Sequence, residues 1–150
     1  MSTLIDVSVL DSLLSGTKVT KATGTLSAAD ISLFTVAGGR IVLVSLVGEV
    51  TVAVTIANAS LIKLNPTVAA DTDLCAALDI GTTDTPIGHL LSITGTAGDA
   101  MIRGAGVALQ ATRIVLQEGV IEHESAGTDG EVTWTATWYP FDAAGTLVAA

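Results

Sequence analysis

A chain of 150 residues supports one well-filled hydrophobic core and is short for two. Its residues are 49% hydrophobic and only 14% charged, a balance that points to apolar surface covered by partner subunits. The net charge is −9 and the six basic residues are scattered apart from Lys18 and Lys21, which excludes the clustered cations of a nucleic-acid site.

The first segment, Leu4 to Leu14, spaces Leu4, Val7, Leu10, Leu13 and Leu14 by three or four residues, as an amphipathic helix does. Val7 and Val9 also fit a short strand, and Gly16 ends the segment. Residues 1–16 therefore read as an N-terminal arm, a short helix or strand that docks on the body or on a neighbour. Its start lacks the basic residues of a secretory signal, and Asp6 and Asp11 interrupt its apolar positions.

From Thr17 the pattern is that of β-structure. Val19 to Leu26 is a Thr-rich strand, Ser27 to Asp30 a turn, and Ile31 to Val36 a second strand closed by Gly38-Gly39. Ile41 to Val47 is apolar on both faces, as in a strand covered on both sides, with a bend or bulge at Gly48-Glu49. It is far shorter than the ~20 residues of a spanning helix, and the aromatics are too few for the girdles of a membrane barrel, so no membrane partner is expected. Val50 to Ala57 alternates cleanly and predicts Val50, Val52, Val54 and Ile56 on the core face.

Leu61 to Leu64 is a short strand before Asn65-Pro66, and Thr67 to Asp73 a loop. Cys75 to Ile80 returns to the sheet, Gly81 to Gly88 is a polar turn, and Leu90 to Thr94 is a strand before a Gly/Ala-rich excursion to Gly106. Val107 to Leu116 and Val120 to Glu124 read as strands, followed by a flexible loop to Gly130. Glu131 to Tyr139 places Val132, Trp134, Ala136 and Trp138 on one face, a core strand anchored by two indoles, with a Trp-based sugar platform as the rival reading. The apolar end, Leu147 to Ala150, predicts docking on the body or a neighbour.

About nine or ten short strands, with turn signals roughly every 8–12 residues, predict an all-β fold. The expected architecture is a single-domain antiparallel β-sandwich over residues 17–150, jelly-roll-like, with the N-terminal arm outside it. Interface candidates are Leu4, Val7, Leu10, Leu13 and Leu14 of the arm, with Leu147 and Val148 of the tail.

Catalytic patterns are missing. The chain has no phosphate loop, no nucleophile elbow and no Cys-x-x-Cys pair, and Gly104-Ala105-Gly106 lacks the strand and helix of a dinucleotide site. His89 and His123 are far apart, and His123 reads as an exposed polar residue whose neighbours Glu122 and Glu124 face away from it. Asp71 and Asp73 lack the twelve-residue pattern of a calcium loop. Cys75, alone, excludes an intrachain disulfide and reads as a small buried hydrophobe. No enzyme activity, metal or cofactor is expected.

Several segments together resemble a family of small structural proteins encoded in tailed-bacteriophage genomes. They include Ala22-Thr23-Gly24-Thr25-Leu26, the run Leu33 to Arg40, Leu46-Val47-Gly48-Glu49-Val50-Thr51, and Asn65-Pro66-Thr67. The run Asp73 to Ile80, Ile93-Thr94-Gly95-Thr96, Val132-Thr133-Trp134 and Val148-Ala149-Ala150 complete the match, while residues 1–20 lie outside it. The resemblance implies a virion component, a capsid decoration or cement subunit on the head, with a tail or baseplate component and a host- or glycan-binding module as rivals. It implies the major capsid protein as partner, a homo-oligomer with a trimer suited to threefold positions, and assembly in the host cytoplasm.

Overall fold

The computed structural model describes Val7 and residues 15–150 of the chain. Among them run twelve strands: β1 (Thr17–Thr25), β2 (Ala29–Ala37), β3 (Ile41–Val52), β4 (Ala59–Pro66), β5 (Thr72–Asp73) and β6 (Leu78–Asp79), then β7 (Leu90–Ser92), β8 (Ile102–Gly104), β9 (Ile114–Leu116), β10 (Gly119–Ser125), β11 (Glu131–Pro140) and β12 (Thr146–Ala149). They form two antiparallel sheets packed as an all-β sandwich. Sheet A has the order β1-β11-β3-β7-β8, with β9 also on β3; sheet B has the order β12-β2-β10-β4-β5, with β6 also on β4. The pairing is nested: β1 lies against β11 and β2 against β10, so the chain closes on itself from its ends inward.

The alternation of β11 holds along its length. Val132, Trp134, Ala136 and Trp138 are all buried between the sheets. Facing them from sheet B are Phe34, Ile62 and Ile121, in one continuous core. Trp134 stands opposite Gly48 of β3, where a Cβ would lie 2.8 Å from Val132 Cγ1 and 3.0 Å from the indole. The glycine therefore makes room for the ring inside an unbroken strand. At the turn after β2, Gly38 and Gly39 both have positive φ, 73° and 140°, which a side chain would strain.

Two bulges change the faces of β3. Leu43 pairs with Trp138 and Ser45 with Thr137, leaving Val44 as the extra residue; Val50 pairs with Val132 and Val52 with Glu131, leaving Thr51 extra. Each bulge shifts the alternation by one. The bulges flank Gly48-Glu49 instead of falling on it. Past Thr51 the expected core face is kept only in part: Val50 and Val54 are fully buried, but Val52, at the bulge, and Ile56, beyond the end of β3, are half-exposed. The strand expected over 107–116 also shortens. Only Ile114–Leu116 joins the ladder, and the preceding residues run alongside β3, held by Gln110 Nε2 donating to Leu43 O at 3.2 Å.

The tail docks on its own body as the edge strand β12 beside β2. Leu147 turns into the core and Val148 out to solvent. Val7 is exposed, and Leu4, Leu10, Leu13 and Leu14 lie outside the described residues.

Candidate functional site: the outer faces of the sandwich

The two outer faces differ in chemistry. On sheet A the strand register builds two rows across three strands, Lys18–Thr137–Ser45 and Thr20–Thr135–Val47. Thr20 and Thr135 share a hydroxyl hydrogen bond of 3.1 Å. The irregular run before β9 forms a wall beside these rows and closes a groove of about 600 Å³. Leu109, 67% exposed, and Arg113 stand on that wall.

Charge in the groove is positive. Arg113 stacks over the Tyr139 ring, 5.8 Å from its centroid, and donates to the Tyr139 hydroxyl at 3.4 Å. Among the described residues neither Lys18 nor Arg113 meets a carboxylate. No acid lines the groove; Glu49 stands one row further on, opposite Thr133. Gln110, only 9% exposed, uses its Nε2 on Leu43 O and Thr112 O, and its buried Oε1 has no partner.

Sheet B carries the opposite arrangement. Lys63 Nζ is buried among three half-exposed carboxylates: Asp30 at 2.8 Å, Glu124 at 3.2 Å and Asp71 at 3.3 Å. The hydrogen bond to Asp30, with smaller contributions from Glu124 and Asp71, raises the ammonium pKa against the opposing effect of burial. Glu122 lies opposite Lys63 and shares that face with Glu124. It is 7% exposed; its Oε1 accepts from Asn65 Nδ2 at 3.4 Å and its Oε2 has no partner. Asp71 thus serves an ion pair, and the loop that carries it exposes Val68 to 83%.

Several other carboxylates fasten turns. Asp79 accepts from Thr82 Oγ1 and from the backbone N–H groups of Gly81, Thr82 and Asn58, which hold its carboxyl far below the usual range. Asp129 accepts from Thr55 N, Thr55 Oγ1 and Ile56 N, and is lowered by the same kind of bond. Asp142 takes two bonds from the Arg40 guanidinium, each 2.9 Å, and a third from the Arg40 N–H.

His123 is not the exposed residue expected. It is fully buried on the inner face of β10, where Trp134 Nε1 donates to its Nδ1 at 3.3 Å and the rings meet edge-on at 5.7 Å. Burial pushes the imidazole down to about 4, so the neutral ring accepts from the indole. Glu122 and Glu124 do face away from it, as the alternation requires. Cys75 is buried and free; Ile62 N–H donates to its Sγ at 3.3 Å, and burial raises the thiol pKa. Both indoles belong to the core, so neither is presented to a sugar. No group of three or more His, Cys, Asp or Glu suited to a metal occurs among the described residues.

No protein-family model, curated protein or solved structure matches the chain.

Proposed function

We propose that this protein is a non-enzymatic structural component of a tailed-bacteriophage particle, a decoration subunit that binds the head shell as a homo-oligomer. The observation that carries the reading is the nested strand order. Numbering β1, β2, β3, β4, β5, β7, β10 and β11 by rank gives 1-8-3-6 in one sheet and 2-7-4-5 in the other. That order supports reading the sandwich as a jelly roll, an architecture recurrent in viral capsid proteins, lectins and cupins. Fold analogy alone does not choose among those. Both indoles are buried, which weakens a lectin reading based on them, and the two histidines are far apart in sequence, unlike the clustered ligands of a metal-dependent cupin.

The surface chemistry agrees with work done by contact. Apart from Lys18 and Arg113 the sheet A groove is lined by uncharged side chains, so most of its area carries no charge to desolvate, and a chain with few charged residues suits burial against neighbours. The resemblance to phage structural proteins supplies the particle, and threefold shell positions supply the trimer. Cosedimentation of the purified protein with undecorated heads tests the reading, and saturable binding is expected. Deleting residues 1–14 should weaken attachment or oligomerisation while the far-ultraviolet β-signal is kept. Unchanged affinity would remove the arm as a tether, and binding to tails instead of heads would move the protein to the rival location.

A further inference from the structure

We infer that the groove of sheet A is filled by the acidic outer face of sheet B from a second copy of this chain. The inference rests on the homo-oligomer reading above and names the two surfaces that meet.

Charge decides the partner. Among the described residues the groove presents Lys18 and Arg113 with no carboxylate in contact with either, on a protein whose net charge is −9. Such a site selects an acidic occupant. The exposed Leu109 calls for an apolar contact.

The far side of the same molecule offers both an acidic and an apolar surface. Three carboxylates, Asp30, Asp71 and Glu124, contact the single ammonium of Lys63, and Glu122 stands opposite it in the ladder, so the patch stays negative after its internal pairing. The adjoining loop, residues 67–71, is exposed throughout and lifts Val68 clear of the surface beside Asp71. An acidic, apolar loop and a basic groove with an apolar wall are complementary in charge and in polarity.

The two patches lie on opposite outer faces, so the contact is head-to-tail. A heterologous contact of that kind leaves one groove and one acidic face open on any dimer, and is completed only when a ring closes. Contacts between opposite faces extend as a stack unless each one adds a rotation that closes the ring.

The test is the mass of the full chain in solution, by light scattering across a concentration series, for four samples. Wild type should form a closed oligomer. The double variant K18E/R113E, altered at two exposed side chains, should associate at least tenfold more weakly. So should D71K/E124K, with D71N/E124Q replacing it if thermal melting shows the reversal to be unfolded. An equimolar mixture of K18E/R113E with D71K/E124K (or of K18E/R113E with wild type, if the neutral pair is used) should recover mixed oligomers, because one intact or reversed contact is restored. A monomeric wild type would overturn the homo-oligomer reading itself. An oligomer that K18E/R113E leaves unchanged would overturn the inference and spare that reading. Loss of assembly by K18E/R113E without any effect of the Asp71 and Glu124 variants would assign the groove to a different acidic occupant and overturn the inference as well.

Discussion

Sheets A and B share one core and meet the outside in opposite ways. Sheet B brings a cation and its counter-charges into contact, whereas on sheet A two cations stand over a floor of hydroxyls with no acid in contact among the described residues. The difference follows from position in the chain. Lys63 is reached by Asp30 and Glu124 because β4, β10 and β2 are neighbours in one sheet. Lys18 sits on the edge strand β1, whose only ladder partner is β11, and its row offers Thr137 and Ser45. A polar face can therefore be finished within the molecule or left for a neighbour to finish. Sheet A is the unfinished one.

Four substitutions or conditions probe that contrast, beginning with the interior the sheets share. Trp134→Ala removes the largest side chain of the common core and leaves a cavity opposite Gly48; the unfolding free energy should fall by about 3–5 kcal/mol in chemical denaturation. Both sheets should lose stability together, as a single transition.

The next effect is acid. Neutral His123 in the fold has its pKa depressed to about 4 from an unfolded value of 6.5, so the unfolded chain binds the proton first. Its contribution is complete above pH 6.5 and is lost as pH falls toward 4, by up to about 3 kcal/mol. His123→Gln keeps a polar ring-sized group without the titration; it should flatten stability between pH 6.5 and 4 relative to wild type, as followed by thermal melting. A slope unchanged by the substitution would detach the effect from His123.

Lys63→Ala should cost about 2 kcal/mol, since it strands three carboxylates that are nevertheless half in water. Added salt should recover part of that loss. By contrast Lys18→Ala and Arg113→Ala should change folding stability by less than about 0.5 kcal/mol, since neither makes an ion pair among the described residues. If the sheet A cations prove as costly to remove as Lys63, the contrast between the faces is wrong.

Sequence and structure agree where one residue's environment depends on its own strand. The face of β11 was legible because no bulge interrupts the run from Val132 to Thr137 and the two sides differ in size. The Gly38-Gly39 turn was legible because positive φ selects glycine. Val52 and Ile56 were not: the extra residue at Thr51 turns Val52 outward at the end of β3, Ile56 lies beyond the ladder while Val54 between them stays buried, and Thr51 looks like any strand threonine. His123 was misread for a related reason. The residue that makes its burial tolerable is Trp134, on the opposite sheet, and no local pattern announces that pairing. The two outer faces needed the register of the sheets. Lys18, Ser45, Arg113 and Thr137 come from four separate segments, and the six cations, read along the chain, show only scatter.

The central claim is that this is a contact protein whose open face is completed by another copy. Sedimentation equilibrium of the intact chain over a wide concentration range tests it most directly. A mass that rises to a plateau at a small integral multiple of 15.1 kDa, and falls back as salt is added, is the predicted result. A mass that stays at 15.1 kDa throughout would contradict it.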